Sequence, residues 1–281
     1  LAAGAEAAGD GVLQMLGAGA FAHAAFDALG MDYAYVAFDV APENLKSAIM
    51  GAKSLNIKGF NVTIPYKEKI IPFLDEIDAA ASVCGAVNTV EIRDGRLIGH
   101  ITDGLGMLRA IEEAGVETRG VNVLILGGGG AARVAAYEFL ARGGSVMLAV
   151  RNLEKGKKLV SELADTQKDG AARIGVTTLD CAKGSYDILI NCTPVGMYPH
   201  ADESPVSRDI VAHCAAVFDA VYNPRETLLL RMAREMGIPC IEGLGMLFYQ
   251  AVEAQKYWFG DQRIASALQQ REIYLHLLDR M

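Results

Sequence analysis

Short apolar runs alternate along the chain with stretches of helical periodicity, and glycine, proline or polar residues separate them. Residues 33–40 are aromatic and β-branched, with apolar side chains at odd and even positions, which predicts a buried parallel strand. Helices are expected on both sides of it, over residues 21–29 and from Pro42 to Leu55. A second short strand is predicted at 59–64, and a helix near Lys67 to Leu74 follows it. This alternation predicts an open parallel sheet.

A second series of strands and helices begins after an amphipathic stretch that ends at Gly115. Helices are predicted at 131–142 and 227–236, and the last forty residues are helical in character with no strand of their own. We therefore predict an α/β protein of two domains, the first formed by residues 1–104 and completed by helices at 244–281, the second formed by residues 105–243. The predicted strands of the second domain lie at 121–126, 145–150, 174–178, 186–191, 216–221 and 238–241.

Composition excludes several classes of protein. The formal net charge is -8, with acidic and basic residues interspersed, so no broad basic surface is expected to bind nucleic acid. No apolar run approaches the roughly 20 residues that span a bilayer, and no lysine or arginine precedes Lys46, so neither a membrane span nor a signal peptide is expected. The five cysteines form no C-x-x-C pair, which argues against disulfides and structural zinc and favours the cytoplasm.

The clearest chemical signal is a strand that ends in four glycines. Residues 123–126 run into Gly127, Gly128, Gly129 and Gly130, and a helix starts near Ala131. Glycines at this place let the backbone approach a pyrophosphate, and the helix N-terminus then offers its N–H groups to the phosphates. A merely flexible turn is the simpler alternative, but the strand before the glycines and the helix after them favour a dinucleotide site.

The next strand ends in Val150, Arg151 and Asn152, where a dinucleotide-binding fold that prefers NAD places an acidic residue. Arg151 and Lys155 would instead accept a 2'-phosphate through charge-assisted hydrogen bonds. Taken alone, a solvated arginine at a strand end is the more ordinary interpretation. The missing carboxylate favours NADP over NAD.

Two further polar residues stand where a ligand cleft is expected. Lys67 follows a strand, and Asp103 lies at the predicted domain boundary. A lone lysine is usually a surface charge, and an aspartate before glycine is usually a turn residue. Spacing alone does not bring the two together.

Seven motifs, in order, resemble the shikimate dehydrogenase family. They are N-V-T-I-P-Y-K-E (61–68), G-A-V-N-T (85–89), T-D-G-L-G (102–106), G-G-G-G-A-A-R (127–133), N-C-T-P-V-G-M (191–197), D-A-V-Y-N-P (219–224) and G-L-G-M-L-F-Y-Q (243–250). The resemblance implies a substrate domain, an NADP-binding Rossmann domain and reversible reduction of 3-dehydroshikimate to shikimate by NADPH, in aromatic amino-acid and chorismate biosynthesis.

The resemblance also implies roles for individual residues. Lys67 and Asp103 would form the catalytic pair at the carbonyl that becomes a hydroxyl. The residues implied to bind the substrate are Asn61, Thr63, Asn88 and Gln250 at the ring hydroxyls and Tyr222 near the carboxylate. Cofactor contacts are implied at Gly127–Ala131, Arg151, Asn152, Lys155, Thr193, Gly243 and Met246, and no metal is implied.

The N-terminal segment departs from the family. Leu16 and Ala18 stand where the family has two serines that bind the substrate carboxylate, and Ile101 and Val150 replace asparagines. Losing two hydrogen bonds to a charged group costs roughly 3–6 kcal/mol unless other groups compensate. A quinate or other cyclic polyhydroxy acid dehydrogenase, and a non-catalytic NADP-binding homologue, therefore stand as alternatives. The sequence leaves open whether the chain forms a homodimer.

Overall fold

A computed structural model describes residues 29–63, 65–166 and 170–260, together with Ala22, Phe26 and Asp27. Within this part the chain divides into two compact units. The first runs to Thr102 and resumes at Leu247, and the second comprises Asp103–Met246. None of the described helices has both the length and the hydropathy needed to cross a membrane.

The first unit contains a four-stranded sheet in the order β1-β3-β4-β2. Helix α2 is capped by the Asp78 carboxylate, which accepts a hydrogen bond from the Ala81 N–H at 2.7 Å, and it ends at Gly85, whose φ of 63° suits glycine. The elements of this unit are a 3-10 turn Pro42–Asn44, α1 Leu45–Ser54, β1 Gly59–Asn61, a 3-10 turn Ile71–Phe73, β2 Glu76–Ile77, α2 Ala79–Cys84, β3 Thr89–Arg93 and β4 Arg96–His100.

This sheet is mixed rather than parallel throughout. Strand β2 runs parallel to β4, but β3 runs antiparallel to both β1 and β4. The cause is a hairpin between β3 and β4, whose turn residues Asp94 and Gly95 have φ of 52° and 72°. Two consecutive residues with positive φ are typical of the tight turn that joins adjacent antiparallel strands. The parallel arrangement predicted for the first domain is therefore wrong for most of its sheet.

Two local predictions in the first unit are also wrong. Residues 33–40 form no strand, and Tyr35 is buried while the four residues after it are exposed. Residues 67–74 form turns and a short 3-10 helix instead of an α-helix. Pro72 contributes to this, because it has no N–H to donate within an α-helix over these residues. The helix predicted at 21–29 lies largely outside the described residues.

The second unit is built on a six-stranded parallel sheet in the order β10-β9-β8-β5-β6-β7. From β5 the chain builds outward through β6 and β7, then crosses to the other side of β5 at β8, which is the doubly wound arrangement of a Rossmann fold. Its elements are α3 Asp103–Glu113, β5 Asn122–Leu126, α4 Gly130–Ala141, β6 Ser145–Val150, α5 Leu153–Ala164, α6 Gly170–Arg173, β7 Ile174–Thr178, a 3-10 turn Leu179–Cys181, β8 Tyr186–Asn191, α7 Arg208–Val211, β9 Cys214–Asp219, α8 Leu228–Glu235 and β10 Cys240–Glu242, and α9 Gly243–Phe259 then runs into the first unit.

The predicted strands and helices of this unit are confirmed to within about two residues. The central strands explain why, since residues 123–126 and 188–190 are fully buried. Strands covered on both faces appear as continuous apolar runs. The reversal of strand order between β5 and β8 opens a crevice at the carboxyl ends of these strands, where ligands of such sheets bind.

Candidate functional site

The turn after β5 requires glycine at its first position. Gly127 has φ of 116°, and a Cβ there would lie 3.2 Å from the Cys192 carbonyl oxygen and 3.3 Å from the Thr193 Cγ2. Helix α4 begins three residues later, and no side chain caps its N-terminus. Backbone N–H groups of a first helical turn and its positive dipole end attract phosphate. The turn is thus shaped for close approach of an anionic ligand.

A cavity of about 360 Å³ lies at the ends of β5, β6 and β8. Its volume is within the range of sites for small molecules and cofactors. No carboxylate is among its described lining residues, so nothing acidic opposes a phosphate there. The cavity brings together the predicted cofactor residues Gly127, Gly128, Gly129, Arg151, Asn152, Lys155 and Thr193, and its other lining residues are Ala149, Val150, Gly156, Leu179, Cys192 and Pro194.

The basic side of this cavity is held by the start of α5. The Asn152 side chain accepts a hydrogen bond from the Lys155 N–H at 3.0 Å and so caps the helix. A Cβ on Gly156 would come within 2.7 Å of Val176 Cγ2 and 2.8 Å of Val150 Cγ2, so glycine lets the helix lie close to the sheet. Arg151 and Asn152 remain exposed to solvent at the cavity.

The opposite wall of the cavity follows β8. The Asn191 Oδ1 accepts hydrogen bonds from the Thr193 backbone N–H at 2.9 Å and from its hydroxyl at 2.7 Å. Burial raises the pKa of the adjacent Cys192 thiol to about 12, and the negative charge of Asp219 adds to this effect. The thiol therefore stays protonated at neutral pH and is not activated as a nucleophile.

The first unit contains a buried cluster of amide and hydroxyl groups. The Asn61 Nδ2 donates to the Asn88 carbonyl at 3.2 Å and to the Thr89 hydroxyl at 3.1 Å. The Asn88 Oδ1 accepts from the Thr102 N–H at 2.9 Å, and the Thr102 hydroxyl lies 3.4 Å from the Gln250 Oε1. The structure thus links three residues that the resemblance assigned to substrate binding, and it buries a fourth, Thr63.

Three members of this cluster were not identified from the sequence. Thr89 and Thr102 lie within the motifs at 85–89 and 102–106, so their position was available although no role was given to them. The Tyr35 hydroxyl donates to the Asn61 Oδ1 at 3.0 Å and holds that amide in one orientation. For Tyr35, the sequence indicated only an aromatic residue in a buried segment.

The predicted catalytic residues lie in different units, Lys67 in the first and Asp103 in the second. Lys67 is half-buried, and its carbonyl accepts a hydrogen bond from the Val87 N–H at 2.8 Å, which joins its turn to the segment that carries Asn88. Asp103 is half-buried and is the first residue of α3. Their pairing at a substrate stays a prediction.

The remaining predicted residues lie after β9, at the start of α9 and at the start of α4. Tyr222 and Met246 are half-buried, and Gly243 begins α9, where a Cβ would lie 2.7 Å from the carbonyl oxygens of Asp219 and Ala220. Gly130 and Ala131 form the exposed first turn of α4. None of these residues is among those that line the cavity beside Gly127. Leu16 and Ala18 lie outside the described residues.

Comparison with known proteins supports the resemblance seen in the motifs. The profile of the shikimate dehydrogenase substrate binding domain matches residues 18–90. The shikimate dehydrogenase (NADP(+)) of Methanocaldococcus jannaschii is 46% identical over 240 residues, which cover 85% of this chain and 85% of that protein.

Solved structures agree with this comparison. A crystal structure of a shikimate dehydrogenase in complex with NADP+ aligns with a TM-score of 0.84 and 39% identity over 98% of this chain and 95% of that chain. The Thermus thermophilus enzyme in complex with NADP(H) and shikimate aligns with a TM-score of 0.81 and 27% identity over 97% of this chain and 100% of that chain. On the identity and extent of these matches, the chain belongs to the shikimate dehydrogenase family.

Proposed function

We propose that this chain is an NADP-dependent shikimate dehydrogenase that reduces 3-dehydroshikimate reversibly to shikimate. The observation that carries the proposal is the cavity beside Gly127, which combines a glycine turn, an uncapped helix N-terminus and the cations of Arg151 and Lys155 with no carboxylate among its lining residues. These are the groups that a dinucleotide with a 2'-phosphate requires. The names of the chain's relatives support the same substrate and cofactor.

We assign the cofactor contacts partly to residues that line this cavity and partly to residues that the resemblance alone implies. The backbone of Gly127–Ala131 would hold the pyrophosphate, while Arg151, Asn152 and Lys155 would hold the adenosine ribose and its phosphate. Thr193, Gly243 and Met246 would border the nicotinamide half. When bound, NADPH supplies the hydride that reduces the substrate carbonyl.

The residues of the chain would then control the proton and the position of the ring. As the general acid, the Lys67 ammonium would give the proton that the carbonyl oxygen takes up as its carbon receives hydride, and it would take the proton back in the reverse reaction. Asp103 would orient that ammonium. In the substrate site, Asn61, Thr63, Asn88 and Gln250 would bind ring hydroxyls, and Tyr222 would lie near the carboxylate.

The polar cluster of the first unit supports a rigid substrate site. Asn61 and Asn88 each make at least two hydrogen bonds within the protein, so their remaining lone pairs and protons point in fixed directions. Groups whose orientation is fixed before binding lose little freedom when a ligand arrives. Such a site suits a ring with several hydroxyl groups.

The test is steady-state oxidation of shikimate and of quinate with NADP. Lys67→Met should lower kcat by roughly a hundredfold to ten-thousandfold, the usual contribution of general acid–base catalysis, with little change in the KM for NADP. Lys69→Met is the matched control, because Lys69 is an exposed lysine two positions further on and should retain activity. Equal losses in both variants would contradict the catalytic assignment.

Calorimetry separates a dehydrogenase from a homologue that only binds the dinucleotide. The proposal expects the protein to bind NADP and, in its presence, shikimate. Binding of NADP without shikimate would favour the non-catalytic alternative. Preferred turnover of quinate would instead keep the chemistry and change the substrate.

We also propose that the protein acts in the cytoplasm and forms a homodimer. All five cysteines are free thiols, as in proteins kept under reducing conditions. The first unit exposes the apolar side chains of Val36, Phe38, Met50 and Leu55, which an interface between copies would cover. Sedimentation equilibrium tests the dimer, and a monomer mass would refute it.

A further inference from the structure

Asp219 is a fully buried carboxylate at the end of β9. It accepts hydrogen bonds from the Thr227 hydroxyl at 2.6 Å, from the Asn191 Nδ2 at 2.9 Å and from the Val221 N–H at 3.0 Å. No ion pair with a lysine, arginine or histidine of the described chain accompanies it. Burying a carboxylate without a cation is costly, so three donors aimed at one side chain indicate that it fixes their positions.

The Asn191 side chain connects this carboxylate to the wall of the cofactor cavity. Because its Nδ2 donates to Asp219, its Oδ1 must face the other way, where it accepts from the Thr193 N–H and hydroxyl. The same Nδ2 also donates to the Val195 carbonyl at 3.2 Å, and the Thr193 hydroxyl accepts from the Val195 N–H at 3.2 Å. The Asn191 side chain therefore fixes the conformation of the backbone at 192–194, which lines the cavity.

The other two donors lead away from the cavity. The Val221 N–H bond fixes the backbone immediately before Tyr222. The Thr227 side chain caps α8 by accepting from the Leu230 N–H at 3.3 Å. Asp219 itself is not among the residues that line the cavity.

We propose that Asp219, acting through Asn191, is a positioning residue for the cofactor, because it sets the conformation of the Thr193 wall without contacting the ligand. This inference rests on the proposed function, in which that wall borders NADP. Asn191 and Asp219 thus form a chain of hydrogen bonds from β9 to the cavity, which we call the relay. The hydrogen bond from Thr227 to Asp219 is separate from it and leads to the N-terminus of α8.

The first test replaces Asp219 with asparagine, which has nearly the same shape. An amide has one acceptor oxygen and two N–H donors, so it cannot satisfy the three donors that the carboxylate satisfies. We expect Asp219→Asn to raise the Kd for NADP about tenfold, the effect of losing one strong hydrogen bond. The KM for shikimate should change less than the Kd for NADP. The substrate-binding cluster of the first unit is untouched, and among the proposed substrate residues only Tyr222 lies next to a hydrogen bond of Asp219.

Thr227→Val is the control that separates positioning from general destabilisation. It removes one donor to Asp219 and the cap of α8, so it should lower the unfolding temperature, but it leaves the Asn191 bond in place and should keep the Kd for NADP near that of the wild type. Asn191→Ala should raise this Kd as much as Asp219→Asn does, and the double variant should add little, because both changes break the same relay.

The outcomes decide the inference even where one variant fails to fold. If Asp219→Asn is not recovered, a folded Asn191→Ala variant with wild-type Kd for NADP overturns the relay. Equal losses of NADP affinity in Thr227→Val and Asp219→Asn would also overturn it, since they would indicate a merely structural role. Failure of the wild-type protein itself to bind NADP would instead refute the proposed function.

Discussion

Replacing Arg151 with alanine tests the choice of NADP over NAD. Arg151 lies at the end of β6 and lines the cavity beside Lys155, with its side chain exposed to solvent. In the proposed site, the variant would remove a guanidinium, a group that can form two parallel hydrogen bonds to a phosphate. Because NAD lacks the 2'-phosphate, only NADP should lose these contacts.

The expected magnitude follows from the exposure of the side chain. A hydrogen bond to a charged group contributes roughly 1.5–3 kcal/mol, and solvent exposure places this one at the lower end. One or two such bonds correspond to a rise of about tenfold to a few hundredfold in the Kd for NADP. The Kd for NAD should stay within about twofold of the wild-type value, because the adenosine ribose of NAD carries no 2'-phosphate.

The assay is calorimetric titration of each variant with NADP and with NAD at one ionic strength. Lys158→Ala is the charge-matched control, since Lys158 lies on α5, the helix that follows Arg151, is 81% exposed and does not line the cavity. Asn152→Asp retains the helix cap but adds a negative charge beside the phosphate, so it should weaken NADP as well. Equal losses for NADP and NAD in Arg151→Ala would refute the assignment.

Three further predictions concern stability and the thiols. In denaturant unfolding, Gly59→Ala should cost at least about 1–3 kcal/mol because its Cβ would lie 2.1 Å from an indole nitrogen, while Gly51→Ala, open within 4 Å, should be neutral or stabilising. Iodoacetamide at neutral pH should label the exposed Cys181 well before Cys192, whose pKa burial raises to about 12; equal labelling by mass spectrometry would contradict this. Burial raises the pKa of Asp219 from 3.8 to about 6, although its hydrogen bonds act in the opposite direction. Protonation of Asp219 therefore stabilises the folded state relative to the unfolded state. This stabilisation is fully present below about pH 4 and is lost as the pH rises through 6. The unfolding free energy of the wild type should therefore fall by roughly 2 kcal/mol relative to Asp219→Asn between about pH 4 and pH 7. A constant difference would argue against the raised pKa.

The second unit was predictable from sequence because its strands are covered on both faces. Continuous apolar runs such as 123–126 and 188–190 are typical of central parallel strands, and glycine or a polar residue marks where each ends. The glycine turn and Arg151 could be found for the same reason, since each is adjacent to a recognisable strand. These features could be predicted because each depends only on residues that are close in the sequence.

The first unit was harder to predict because an apolar run in the sequence does not indicate which strand or helix packs against it. Residues 33–40 have the composition of a strand, yet the side chains after Tyr35 are exposed. The Asp94-Gly95 dipeptide is a sequence signal of a two-residue hairpin turn, and it would have predicted the antiparallel pair β3–β4.

The hydrogen-bond networks could not have been predicted from spacing. Thr102 approaches Gln250 across 148 positions, and Asn191 reaches Asp219 across 28. Such contacts depend on how strands are ordered in a sheet, which periodicity does not specify. The resemblance placed several of these residues in motifs, but the roles of Thr102 and Asp219 emerged only from the structure.

Transfer of deuterium between substrate and cofactor tests the proposed chemistry most directly. Shikimate that carries deuterium on the carbon of the oxidised hydroxyl is incubated with the protein and NADP, and the reduced cofactor is analysed by mass spectrometry. We expect NADPH that carries the deuterium on its nicotinamide ring, with the hydroxyl proton passing to Lys67. A folded protein that binds NADP but forms no labelled NADPH would contradict it.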